Sequence, residues 1–191
     1  PVFKFSSAEG KGNNDLLKIE DFWIRSLDAA LGLDAQAVLA ISGFRAVSLK
    51  KFHLEDALVN ATGKNPFVSL SANQLVQISE LSLQRNRLVA KKTDPLFYME
   101  SVKTLEIVNS CFSGNNFKGS GSDPLVIINP DAIASASIAN FAVSKNIFDG
   151  DISIFEFSEF GRPSAFNSDL KIPNVTISEN TNLKSTNQWS F

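Results

Sequence analysis

LEIVNSCFSGN, Leu105 to Asn115, is one of six copies of a single eleven-residue pattern. The others are LKIEDFWIRSL (Leu17–Leu27), VSLKKFHLEDA (Val47–Ala57), VQISELSLQRN (Val76–Asn86), ASIANFAVSKN (Ala136–Asn146) and LKIPNVTISEN (Leu170–Asn180). They start at residues 17, 47, 76, 105, 136 and 170, so the steps are 30, 29, 29, 31 and 34 residues. Self-similarity at such a period marks a solenoid or an array, in which each repeat buries its apolar face against its neighbours.

Each unit follows a second apolar run: VFKFS (Val2–Ser6), VLAIS (Val38–Ser42), FVSLS (Phe67–Ser71), LFYME (Leu96–Glu100), LVIIN (Leu125–Asn129) and ISIFE (Ile152–Glu156). Apolar and polar residues alternate over four to six positions, with β-branched and aromatic enrichment, which is the signature of strands. Three short strands per repeat are expected, in the fourth repeat LFYME, LEIV and SCFSG, with a corner at Asn109. Ser26–Ala37 (SLDAALGLDAQA) has helix-forming composition and is expected to form a short helical turn between the first two repeats.

Stacking the repeats as coils turns sequence positions into columns spaced by the interstrand distance of roughly 4.8 Å. The third, sixth and eighth positions of the unit read Ile19, Leu49, Ile78, Ile107, Ile138, Ile172; Phe22, Phe52, Leu81, Ser110, Phe141, Val175; and Ile24, Leu54, Leu83, Phe112, Val143, Ile177. These columns face inward. The seventh column (Trp23, His53, Ser82, Cys111, Ala142, Thr176) mixes residue types and is read as an unpacked outer column. Corner positions carry Asn109, Asn140 and Asn174, and the unit ends in Asn86, Asn115, Asn146 and Asn180. Asn tolerates left-handed backbone and hydrogen-bonds along a stack, so both sets are assigned as structural corners.

The apolar alternation, the Asn corner and the FSGN ending (Phe112–Asn115), with its copies LQRN, VSKN and ISEN, resemble the right-handed parallel β-helix of the pectin-lyase-like fold. The FxxN-type ending is similar to that of polymorphic outer-membrane and adhesin-like passenger proteins. The resemblance covers nearly the whole chain. The expected fold is all-β, a right-handed parallel β-helix of about six coils, with residues 1–191 as one segment of a longer solenoid. The opening VFKF and the closing QWSF (Gln188–Phe191), read as a seventh coil's first strand, motivate that last expectation.

The resemblance implies that an enzyme of this fold would act on polysaccharide from the outer face of the first wall. There the outward columns are assigned as Lys4, Ala40, Ser69, Tyr98, Ile127, Ile154 and Ser6, Ser42, Ser71, Glu100, Asn129, Glu156. Glu100 and Glu156 would then stand two rungs apart, about 10 Å, near the upper limit for an inverting glycosidase pair. The structural reading of both is a solvated edge residue. The run starts Val2, Val38, Phe67, Leu96, Leu125 and Ile152 are read as an outward apolar stripe, so that Phe67, Leu96, Tyr98, Leu125, Ile127 and Ile154 form a contact surface for another segment or subunit.

Composition narrows the classes. With 18 basic and 20 acidic residues the charge is balanced, which leaves no electrostatic footprint for nucleic acid. The longest apolar run, 124–143, contains Asn129, Pro130, Asp131 and Asn140, so no membrane-spanning helix is expected. His53 is the sole histidine and its column holds no carboxylate to orient it for a triad. Cys111 has no basic neighbour in its column and is read as inert. Asp149–Asp151 (DGD) is a turn without further calcium ligands, and KGSGSD (Lys118–Asp123) is a surface loop rather than a phosphate-binding loop. No cofactor or metal is expected. Of two glycosylation sequons, Asn60-Ala-Thr62 is placed in a loop and assigned as a possible acceptor, whereas Asn174 serves as a corner.

The expected function is a non-enzymatic structural or adhesion solenoid, extracellular or at the cell surface. Its partners would be flanking solenoid segments or other subunits of an assembly, with a host receptor or polysaccharide as further partners. The alternative is a carbohydrate-active or carbohydrate-binding β-helix using Tyr98, Trp23, or Glu100 with Glu156.

Overall fold

A computed structural model describes residues 3–7, 16–30, 37–61, 66–71, 74–90, 95–100, 102–119, 125–130, 133–150, 152–156, 169–181 and 189–190. In chain order the strands are β1 (Phe3–Ser6), β2 (Leu16–Arg25) and β3 (Asp28–Ala30), then β4 (Leu39–Ser42), β5 (Ala46–Glu55) and β6 (Leu58–Ala61). The third coil has β7 (Val68–Ser71), β8 (Leu75–Ser79), β9 (Ser82–Gln84) and β10 (Arg87–Ala90); the fourth has β11 (Phe97–Glu100), β12 (Thr104–Ser113) and β13 (Asn116–Gly119). There follow β14 (Leu125–Pro130), β15 (Ser135–Ser144), β16 (Ile147–Asp149), β17 (Ile152–Glu156), β18 (Asp169–Lys171), β19 (Val175–Ser178) and β20 (Trp189–Ser190).

The strand pairings are parallel and link consecutive coils, building three walls. The first runs β1-β4-β7-β11-β14-β17-β20, the second β2-β5-β8-β12-β15-β18 with β9 and β19 alongside, and the third β3-β6-β10-β13-β16. The chain is an all-β parallel solenoid. About four turns are enclosed, fewer than the six coils expected; the first and last rungs of the second wall, which pair on one side only among the described residues, keep half-exposed inward residues. Trp189 pairs with Phe155, so the closing segment does begin another rung of the first wall.

The repeat follows from two left-handed bends per coil. At the fifth position of the unit Asp21, Lys51, Glu80, Asn109, Asn140 and Asn174 all have φ between 53° and 59°. The second bend is at the tenth position, where Ser26, Asp56, Arg85, Gly114, Lys145 and Glu179 have φ between 51° and 67°. The terminal Asn86, Asn115, Asn146 and Asn180 are therefore not the turning residues. Each lies one residue beyond the bend, where the reversed backbone directs its side chain inward. The third strand also differs from expectation: LEIV and SCFS belong to one wall, β12, and the third side is Asn116–Gly119. Asp28–Ala30, expected to be helical, pairs with β6 as a strand, and 31–36 lie outside the described residues.

Inside, the third, sixth and eighth columns form the core as expected. Leu49, Phe52, Leu54, Ile78, Leu83, Ile107, Phe112, Ile138, Phe141 and Val143 are all buried. Phenylalanines stack along the axis, Phe22 on Phe52 at 5.4 Å and Phe117 on Phe148 at 5.3 Å, and bridge walls, Phe52 to Phe97 at 6.2 Å. Ser110, the polar exception in the sixth column, accepts a hydrogen bond from the Leu81 N–H (3.1 Å) and donates to the Val108 carbonyl (3.0 Å).

The apolar stripe of the first wall is core, not surface. Val38, Phe67, Leu96, Leu125, Ile127 and Ile154 are all buried, while Val2 and the side chain of Ile152 lie outside the described residues. Val38, Phe67 and Leu96 sit at bends just before their strands, so they and the next residue both point inward. Register supplies the second correction. Phe97 pairs with Val68 and with Ile128, and Ile128 with Phe155. Ile127 and Ile154 are thus the counterparts of Leu96, two residues along from the alignment read in the sequence.

Candidate functional site

On the first wall the corrected register makes the outward column Lys4, Ala40, Ser69, Tyr98, Asn129 and Glu156. Of the six residues assigned as a contact surface only Tyr98 faces out, and it is half-buried. Asn129 and Glu156 are more than nine-tenths buried although they stand on the outer face. Glu100 occupies the adjacent column with Ser71 and Ser42, and is exposed. Glu100 and Glu156 are therefore offset by two rungs and by two residues, a separation of about 12 Å from strand geometry. That exceeds the range in which two carboxylates flank a glycosidic bond. The structure does not bring the two together as a catalytic pair.

The second wall carries a cluster of outward aromatic and charged groups. The left-handed bends keep the seventh and ninth positions facing out, so residues of successive rungs meet. The Trp23 indole and the His53 imidazole stack at 3.8 Å with their planes 12° apart, and the Arg25 guanidinium lies 4.2 Å from the Trp23 ring centre. Arg25 pairs with Glu55 at 3.2 Å; Glu55 lies 3.7 Å from Arg85, which forks onto Asp56 at 2.8 and 3.0 Å. The hydrogen bond from Arg85 holds the Asp56 carboxyl below its ordinary range, and the same bond raises Arg85. Hydrogen bonding to Asp21, 3.2 Å away, raises Lys51 in the same manner.

The seventh column faces out, as expected, but its first two members are stacked on one another rather than unpacked. The signal was present: columns read from the repeat already set Trp23 one rung from His53. Farther along it is small and polar, with the Cys111 thiol 3.7 Å from the Ser82 hydroxyl. His53 has an aromatic partner rather than a nucleophile. Among the described residues no group of three or more His, Cys, Asp or Glu side chains is placed to hold a metal ion.

Two asparagine ladders run along the axis. In the outer one Asn174 donates to Asn140 (3.1 Å) and Asn140 to Asn109 (3.0 Å), exposed to solvent. In the inner one each Oδ1 accepts from the backbone N–H and the amide of the preceding asparagine. For Asn115 both contacts from Asn86 are 3.0 Å, and its own amide donates to Asn146 Oδ1 (2.9 Å) and the Leu83 carbonyl (2.8 Å). The pattern repeats at Asn146 and Asn180 and begins with the Ala57 N–H donating to Asn86.

Asn60 is exposed, but on strand β6 rather than in a loop. Lys118 and Gly119, expected in a glycine-rich loop, belong to β13, and Lys118 pairs with Asp149 at 2.9 Å. No helix of the described residues is long and apolar enough to cross a membrane. No family model, curated protein or solved structure matches the chain.

Proposed function

We propose that this chain is a non-enzymatic structural solenoid, a stiff extracellular or cell-surface scaffold of adhesin-like type that makes lateral or end-to-end protein contacts. The observation that carries the reading is the redundancy of ties between successive coils. Every rung of the second wall is bonded to the next by backbone ladder, apolar column and, from the third coil on, an inner asparagine, with ion pairs added outside. Such coupling resists bending and shear along the axis and leaves outer columns free to vary. Its winding is taken as right-handed, the sense that parallel crossovers adopt almost without exception, in keeping with the pectin-lyase-like resemblance. Flanking solenoid segments, other subunits or a host receptor are its proposed partners.

A carbohydrate-binding reading is favoured by one feature, the alignment of half-buried Tyr98 with the buried polar groups of Asn129 and Glu156 in one outer column. Incubation with a panel of neutral and acidic polysaccharides separates the readings. The scaffold predicts no release of reducing ends or unsaturated products. Product release that Glu156→Gln abolishes would replace it with the enzymatic alternative.

A further inference from the structure

We propose that the junction between the first and second coils is a built-in seam, the place at which the stack opens first, because the inner asparagine ladder stops short of it. The inference goes beyond the scaffold reading and does not depend on it. Around the second bend of each coil, two backbone groups need partners from the following coil: the N–H of the eleventh position and the carbonyl of the eighth. From the second coil onward an asparagine caps both. The N–H groups of Ala57, Asn86, Asn115 and Asn146 donate to Oδ1 of Asn86, Asn115, Asn146 and Asn180 at 2.9–3.0 Å. The side-chain amides of those four asparagines donate to the carbonyls of Leu54, Leu83, Phe112 and Val143 at 2.7–2.9 Å. In the first coil the corresponding groups are the Leu27 N–H and the Ile24 carbonyl. The residue of the second coil that stands where the asparagine would is Ala57, whose methyl group neither donates nor accepts.

The backbone at this junction is otherwise the same as at the next two. The Leu58 N–H donates to the Leu27 carbonyl at 2.7 Å, as Arg87 does to Ala57 at 2.8 Å and Asn116 to Asn86 at 2.7 Å. The bends at Ser26, Asp56 and Arg85 have φ of 52°, 51° and 53°. Ala57 is buried, as are Asn86 and Asn115, so all three point inward. The interruption is therefore one of side chain alone. The ion pairs across the junction are on the outside, Lys51 with Asp21 and Arg25 with Glu55, both at 3.2 Å, and three of these four side chains are exposed. Exposed pairs contribute little, whereas bonds that cap backbone groups in a dry interior contribute more. The later junctions have the ladder as well as outer pairs such as Arg85 with Asp56 and Lys145 with Glu179. Stability in such a stack is a sum of junctions, so the first coil parts from the second while the ladder holds the rest closed.

Native-state hydrogen exchange of the full chain and two variants tests this. Ala57→Asn supplies the missing rung, with Oδ1 for the Leu27 N–H and the amide for the Ile24 carbonyl and Asn86 Oδ1. Exchange in β2 should slow about tenfold, the worth of one or two such bonds. Asn86→Ala interrupts the ladder one junction farther in. It should speed exchange in β5 and β6 about tenfold and leave β2 and β3 unchanged, because the first coil opens without disturbing that junction. Faster exchange of β2 and β5 together in Asn86→Ala would mean that the first coil opens only with the rest, and the seam would be discarded. Unchanged or faster exchange of β2 in Ala57→Asn would also overturn it, and that result stands even if Asn86→Ala does not fold.

Discussion

At the scale of single residues, the same amino acid serves two roles set by which way a bend turns it. Asn109, Asn140 and Asn174 sit in the left-handed bend itself, where Asn incurs less strain than other non-glycine residues. Asn86, Asn115 and Asn146 stand one position after the second bend and are buried. Their amides replace solvent for backbone groups that the bend removes from the strand ladder. The consequence is a large difference in energetic weight. Asn115→Ala strips the partners from the buried Asn86 N–H and the Leu83 carbonyl, and should destabilise the protein by about 2–4 kcal/mol. Asn140→Ala removes two exposed side-chain bonds and sets Ala in a left-handed conformation at φ 53°, and should cost about 1 kcal/mol. Urea denaturation of the two variants checks the contrast; equal losses would mean the inner ladder is no better shielded than the outer.

At the scale of elements, a strand's alternation tells its two faces apart only once its first residue is placed. The first wall shows this. Leu96 opens LFYME and, counted as strand position one, falls on the same face as Tyr98. It is instead the last residue of the bend and is fully buried with Phe97. The same two-residue ambiguity displaced β14 and β17 in register, because LVIIN and ISIF offer apolar residues that fit either frame. Six successive buried residues in β14 leave no alternation to read. Leu96→Lys therefore places a charge in the core rather than on a contact surface. The expected result is loss of the folded state, a cost above ~3 kcal/mol, seen as loss of the cooperative thermal transition. A Leu96→Lys variant that folds, with only its assembly impaired, would restore the outward assignment.

At the scale of the whole molecule, stability is the sum of nearest-neighbour coil interfaces. Among the described residues, coils two to five pair with a coil on each side and the first with one. Native-state hydrogen exchange should accordingly show the highest protection at the amides of β5, β8, β12 and β15 and the lowest in β1, β2 and β3, a graded profile from the N-terminal end inward. Uniform protection through β2 would show that the first coil is covered as fully as the inner ones.

The repeat, the strand class, the inward columns of the second wall and the first left-handed bend were legible in the sequence. Each depends on period-two alternation and on residue types recurring at a fixed step, which is information a single chain carries. The first-wall register, the second bend, the inward direction of the inner asparagines and the separation of Glu100 from Glu156 were decided only by tertiary structure. Those features depend on where a bend ends and a strand begins. Charged residues such as Arg85, Lys145 and Glu179 occupy left-handed positions there because cross-coil packing holds them, and nothing in their own chemistry marks them as turning points. Alternation along a strand is local, whereas its phase is set by the coils above and below.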